Sequence, residues 1–363
     1  TLPVPPGPQP IGTTSVELVD DDRLDPYGSV AETSPRRVVA QVWYPSAGPP
    51  GGMRVPWSAD WDVVAPAIAR ELGLPSWFLS HTRFTLSSST ADAIVAPGAF
   101  PVVIYSHGWT GFRTIAVNQA EALASNGYVV IAIDHTHGSI ATRFADGAVV
   151  YHDPTALPEV AEVGEEAYAE AAERLVETFA QDIILVLDEL DLGPEGAFGT
   201  MASSIDLTRI GVYGHSTGGG AAVSACLRDE RCDAVLGMDP WVEHLPDRVL
   251  RIQASIPTLF MRSDQWRGNE NDSILMGIAG RSAEVSYVLG IDGAGHNDFV
   301  VAPLLSPVAS QLGVTGPISA GRVISIIDNY LLGFFDVYLL GTGSAALDSV
   351  AFDEVSIEVL NNP

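Results

Sequence analysis

An α/β fold with a mostly parallel sheet, helices covering both faces, is predicted by three features of this sequence. Short apolar runs alternate with helix-patterned segments over most of the chain, the order that builds right-handed crossovers between parallel strands. Those runs are continuously apolar, as strands buried on both faces are. The third feature is a Gly-x-Ser-x-Gly placed where one apolar run meets a helix of small residues, Arg209 to Gly220. With 363 residues, 47% of them hydrophobic, the chain has ample material for a core, and no internal repeat breaks it, so a single domain over 1–363 is expected.

The elements follow in order. Residues 1–10 form a proline-rich extension carrying Pro3, Pro5, Pro6, Pro8 and Pro10. Strands are expected at Thr14 to Val19 and Arg37 to Tyr44, then at Val102 to Tyr105 after the Pro97–Pro101 punctuation. A helix from Thr114 to Ser125 ends at Asn126-Gly127, a stop signal. The strand Tyr128–Ile133 precedes a long helix, Glu159 to Leu190, in which Tyr168, Leu175, Phe179, Ile183 and Leu187 share one face. Strands at Arg209–Tyr213, Asp233–Met238, Thr258–Arg262 and Glu284–Leu289 complete the alternation. Two segments read as insertions near a pocket, 57–96 and 139–157. Tryptophans 57, 61 and 77 of the first are expected to anchor it to the body more often than to line a pocket.

Charge narrows the function classes. The 18 basic residues are all arginine, so the chain has no lysine, and 45 acidic residues bring the formal net charge to −27. Such a surface repels phosphate backbones, which argues against nucleic acid as a partner. It also favours salt-rich or extracellular surroundings that screen self-repulsion. The most apolar late stretch, Ile324 to Leu340, contains Asp328, Asn329 and Asp336 and reads as a buried helix, not a transmembrane segment. Thr1 and the prolines after it read as a mature terminus left by leader removal, or as a trimmed end, and export from a bacterial cell is expected. Cys226 and Cys232 lie six apart without histidine neighbours, so a small disulfide across a helix-to-strand turn is expected in place of a metal site. Asp20-Asp21-Asp22 reads as a solvated acidic turn. Neither metal nor cofactor is expected.

The chemistry concentrates around Gly214-His215-Ser216-Thr217-Gly218. A strand-to-helix turn of this form raises a serine hydroxyl over the sheet, and glycines on either side remove β-carbons from the tight turn. The hydroxyl needs a base. His296, in Gly293-Ala294-Gly295-His296-Asn297-Asp298-Phe299, follows the last of the expected strands and is the candidate. His215 is expected to point away from the hydroxyl, His135 and His137 to line the rim, and His81, His152 and His244 to lie at the surface or pocket edge. Two aspartates can orient His296: Asp239 and Asp264 each end a strand between serine and histidine in chain order, and order favours neither. An oxyanion hole needs two backbone N–H groups. The residue after the serine, Thr217, supplies one; Trp109, after Ser106-His107-Gly108, is the candidate for the other.

Ser106-His107-Gly108-Trp109 with Gly111-Phe112-Arg113, the Ser216 motif, Met238-Asp239-Pro240-Trp241, Gly295-His296-Asn297-Asp298-Phe299 and the early Val42-Trp43-Tyr44-Pro45-Ser46 occur in an order that resembles the platelet-activating-factor acetylhydrolase family, over roughly residues 11 to 340. The resemblance implies a calcium-independent α/β-hydrolase that cleaves short or oxidised acyl esters, phospholipid sn-2 esters among them. It further implies Asp239 as the triad acid; Trp241, two residues on, is the candidate substrate-binding residue. Two positions depart from the pattern of the animal enzymes: Thr217 replaces phenylalanine, and Trp109 replaces leucine. Gly214-His215-Ser216-Thr217-Gly218-Gly219-Gly220, Gly108-Trp109-Thr110-Gly111 and Pro240-Trp241 are also similar to bacterial cutinase-like polyester hydrolases, a resemblance that implies an acid from the later strand and would promote Asp264. The expectation is therefore a serine carboxylic-ester hydrolase with catalytic Ser216, Asp239 and His296. It would act on a small-molecule or lipid ester as a monomer or small homo-oligomer. A polyester hydrolase of the cutinase or lipase type is the alternative, and a non-catalytic binding protein of the same fold is the rival from another class.

Overall fold

The apolar runs become strands and the patterned segments helices. In the computed structural model, which describes residues 1–29, 31–48, 53–306, 309–343, 347 and 351–361, the chain starts with β1 (Ile11–Leu24), β2 (Pro35–Pro45), β3 (Arg54–Pro56), α1 (Trp61–Glu71) and β4 (Leu86–Ala91). There follow β5 (Phe100–Ser106), α2 (Val117–Ser125), β6 (Val129–Asp134), β7 (Ala141–Arg143), β8 (Val149–Tyr151), α3 (Val160–Val163) and α4 (Glu165–Asp191). The later half brings β9 (Ile205–His215), α5 (Thr217–Cys226), β10 (Ala234–Met238), α6 (Asp247–Leu250), β11 (Thr258–Arg262) and α7 (Glu270–Arg281). It closes with β12 (Ser286–Ile291), α8 (Ala302–Leu305), α9 (Ala320–Leu340) and β13 (Val355–Leu360). Internal contacts group the chain into two compact units, Thr1–Phe100 with Trp109–Ile205, and Pro101–Gly108 with Asp206–Pro363.

In the first unit the strand order is β6-β2-β1-β4-β3. Here β1 pairs antiparallel with β2 from Ile11↔Pro45 to Asp20↔Arg36, and β2 pairs antiparallel with β6. The sequence predicts a mostly parallel arrangement, but the ten residues between β1 and β2 are too few for a crossover helix and impose a hairpin. The long helix expected at Glu159–Leu190 is interrupted at Gly164, whose φ of 84° ends α3 and starts α4. A buried ionic cluster ties α4 to the strands. Arg36 donates from Nε and Nη2 to the two oxygens of Asp182, at 3.1 and 2.7 Å, and from Nη1 to Asp25 at 3.1 Å. Burial alone would raise the Asp182 carboxyl, but the charges of Arg36 and Arg23 and a bond from His135 hold it well below the usual carboxylate range. Within the first insertion Trp57 and Trp61 are buried, their ring centroids 4.5 Å apart, and each indole N–H donates to a backbone carbonyl. They are anchors; Trp77 is exposed.

In the second unit the order is β13-β12-β11-β10-β9-β5, and β9, β10, β11 and β12 are parallel in register. Strand β13, which no apolar run announces, adds antiparallel to the edge at β12. All ten residues of α5 are buried, which is why this helix is built of Gly, Ala and other small side chains. Cys226, its last residue, is disulfide-bonded to Cys232 with a Cα–Cα distance of 5.3 Å. Helix α9 is long and apolar enough, by length and composition, to cross a bilayer. Here its apolar side packs inward: Tyr330, Leu331, Phe334 and Phe335 are fully buried, and Gly211 on β9 leaves room for the Phe335 ring.

Candidate active site

Strand β9 ends at His215, and the next residue, Ser216, has φ 55° and ψ −123°, a left-handed conformation that a non-glycine residue holds only under constraint. The constraint is visible in the neighbours. The Ser216 N–H donates to the Met238 carbonyl at 3.0 Å, and its carbonyl accepts from Trp241 N–H at 2.8 Å. A β-carbon on Gly214 would strike the Gly218 carbonyl, and one on Gly218 would strike the carbonyls of Ser106 and His107. Gly108 approaches so closely that a β-carbon there would lie 2.9 Å from that of Ser216. Thr217, buried, opens α5.

Strand β10 delivers Asp239, fully buried and also left-handed with φ 42°. Its carboxylate accepts from the Ser263 N–H at 2.7 Å and the Ser263 hydroxyl at 2.6 Å, and Oδ2 lies 3.0 Å from Nδ1 of His296. That bond assigns the Nδ1 proton to the carboxylate side and leaves Nε2 as the basic nitrogen. His296 sits on the turn after β12, its side chain 24% exposed, so it is open to solvent on one side. Asp264 turns elsewhere: one oxygen accepts from Gly293 N–H at 2.7 Å, and the other pairs with Arg267.

Several partners of His296 were not legible in sequence. His215, 81 residues away, has its Nε2 2.9 Å from the His296 carbonyl and donates to it. Burial, then the charge of His296, then that of His107 keep His215 well below the usual imidazole range, so it stays a neutral donor. The side-chain oxygen of Gln265 accepts from the His296 N–H at 2.9 Å, and the Trp266 indole lies parallel to the imidazole, 4.7 Å between centroids and 5° between planes. Asp298 accepts from the N–H groups of Gly295 and Gly316, each at 2.7 Å, which fixes the turn. Adjacency to Asp264 was the one sequence signal that could have drawn attention to Gln265 and Trp266. Trp241 is half-buried and donates from its indole to Glu243 at 2.9 Å.

In the first unit, the chain from Trp109 onward is tightly held. Thr110 has φ 56°, and its N–H donates to Gly138 at 2.9 Å; Ile140 N–H donates to Gly111, also at 2.9 Å. Arg113 N–H donates to Asp134 at 2.6 Å, and its guanidinium pairs with Asp134 and Asp60. The Trp109 ring meets His152 edge-on at 5.8 Å. His135 is not on a rim: it is fully buried, 3.0 Å from Asp182 and stacked on Phe179, because the Asp182 carboxylate draws it inward. Asp20 spends its carboxylate on Arg23 and the Asp22 N–H. Among the described residues, no group of three or more His, Cys, Asp or Glu is placed to hold a metal ion.

Residues 72–340 match the family model described as platelet-activating factor acetylhydrolase, isoform II. The chain belongs to this family. The dog platelet-activating factor acetylhydrolase is 28% identical over 197 residues, 47% of this chain and 42% of that protein. The chicken enzyme of the same name is 22% identical over 93% of this chain and 83% of its own. The chain spans about half the length of the mammalian relatives it matches, 42 to 58%. A solved ferulic acid esterase from Streptomyces cinnamoneus superposes with a TM-score of 0.80 at 26% identity, covering 98% of both chains. The fold is that of the α/β-hydrolases.

Proposed function

We propose that this protein is a serine carboxylic-ester hydrolase that works through an acyl-enzyme. The observation that carries the reading is the 3.0 Å contact between His296 Nδ1 and the buried Asp239 carboxylate, residues 57 apart in sequence, beside a serine held on a left-handed turn. Ser216 Oγ attacks the ester carbonyl carbon as His296 Nε2 takes its proton. Asp239 fixes the imidazole tautomer and stabilises its charged form. The N–H group of Thr217 stabilises the oxyanion, with the second donor expected from the chain just after Gly108, whose close approach to Ser216 supports this. Collapse expels the alcohol, protonated by His296. Water, deprotonated by the same histidine, then releases the acid and restores the serine.

The platelet-activating-factor relatives support a short acyl ester of a phospholipid as substrate, and the ferulic acid esterase of like fold supports a hydroxycinnamate ester. Trp241, on the loop after β10, is the candidate pocket wall for either. The Cys226–Cys232 bond supports work in an oxidising, exported setting. The test is steady-state hydrolysis of p-nitrophenyl esters of increasing chain length, beside a short-chain phospholipid, a feruloyl ester and a polyester film. Ser216→Ala is expected to lower kcat by about 10⁶. A variant with near-normal rates would sink the assignment, and a wild-type protein inert to every ester would favour the binding-protein reading.

A further inference from the structure

The five residues after β11 form a cradle around the acid and histidine. Ser263 bonds both oxygens of Asp239. Asp264 takes the Gly293 N–H and gives its own N–H to the Ala294 carbonyl. Gln265 holds the His296 N–H, Trp266 covers the His296 ring, and Arg267 bonds Asp292 at 2.8 Å. Each of the five therefore reaches the candidate acid or the turn that carries the candidate base.

Trp266 differs from the other four because it meets the reacting ring itself. We infer that Trp266 is a positioning residue for His296, fixing the imidazole plane and favouring its charged form while it holds the serine proton. The inference rests on reading Ser216, His296 and Asp239 as a triad. A parallel stack at 4.7 Å places the imidazole over the negative face of the indole, which attracts a cation more than a neutral ring. The other groups facing His296 are consistent with this. Asp239 bonds Nδ1 from β10. His215, from β9, has its ring 4.4 Å away, and as a neutral donor it adds no repulsion. Asp264 is paired with Arg267, and Asp298 is committed to the Gly295 and Gly316 N–H groups.

The experiment measures kcat/KM for a p-nitrophenyl ester against pH in wild type, Trp266→Leu, Trp266→Phe and His296→Ala, with melting temperatures to show that each is folded. Trp266→Leu is expected to lose about tenfold in kcat/KM, within the range of a partly buried cation–π contact. Its acid limb should move to lower pH, since an imidazolium without the stack gives up its proton more readily. Trp266→Phe, which keeps an aromatic face, should restore most of the rate and return the limb. A Leu variant with wild-type rate and profile overturns the inference, as does a slowed variant whose limb has not moved and which Phe does not rescue. Should His296→Ala stay active, the triad reading itself fails, and the role of Trp266 with it.

Discussion

Asp239 and Asp264 both end parallel strands, and chain order treats them alike. Their partners separate them: one carboxylate is sealed between Ser263 and His296, while the other is half-exposed and shared between Gly293 and Arg267. Asp239→Asn should therefore lower kcat by about 10⁴, the loss typical of a triad acid replaced by its amide. Asp264→Asn, which removes only a prop of the histidine turn, should lose less than about tenfold by the same measure. Equal losses in steady-state assays would show that the acid had been misassigned. Ser216 itself was legible because a motif local in sequence needs glycines at fixed offsets. Chain order left the two aspartates alike and only the family resemblance named Asp239, since choosing between two strand ends depends on which loop folds over which. His215 was beyond reach for the same reason: its partner is a backbone carbonyl 81 residues away, and no pattern in the chain encodes that bond.

At the scale of elements, α9 shows what periodicity reveals and what it omits. Its apolar stripe predicts a buried helix, and Val323, Ile327, Leu331 and Phe334 are buried accordingly. Asp328 on the same helix is half-exposed overall, yet one carboxylate oxygen is buried without a partner among the described residues. Burial pushes its carboxyl up to about 7. An unfolded chain ionises an aspartate near pH 4, so between about pH 4 and 7 the folded state holds a proton that the unfolded state has lost. Stability from this group is full below pH 4 and is lost as pH rises to 7. Asp328→Asn should flatten that slope, making the variant the more stable protein above pH 7 in urea melts. A variant whose stability runs parallel to wild type from pH 4 to 8 would contradict the assignment. The Arg36–Asp182 pair works with the opposite sign, because its carboxyl is held low and its stabilisation is lost in acid. Neither effect is written in the sequence, where both aspartates sit on helices that read simply as amphipathic or apolar.

For the whole molecule, alternation of strands and helices was legible because each parallel strand needs a crossover, and crossovers leave long, regular spacings. The antiparallel pairing of β1, β2 and β6 and the late edge strand β13 were not, since hairpin register and edge addition depend on partners far along the chain. Composition speaks more directly to behaviour in solution. A net charge of −27 on 363 residues makes the compact state repel itself. Added salt shortens the Debye length from about 30 Å at 0.01 M to about 10 Å at 0.1 M, which relieves that repulsion. The melting temperature should therefore rise as sodium chloride increases from about 0.01 to 0.5 M, in the range where screening acts. A falling or flat trend in calorimetry would show that the acidic surface does not limit stability.

The absence of lysine reaches beyond charge. Apart from its eight histidines, every basic side chain in these 363 residues is a guanidinium, protonated at any working pH and inert as an acyl acceptor. If the proposed acyl-enzyme forms, it meets no lysine amine that could be acylated by mistake. The same property makes glutaraldehyde and activated-ester reagents poor at crosslinking or labelling its surface. Coupling it to a support therefore calls for chemistry aimed at carboxylates, which it carries in abundance.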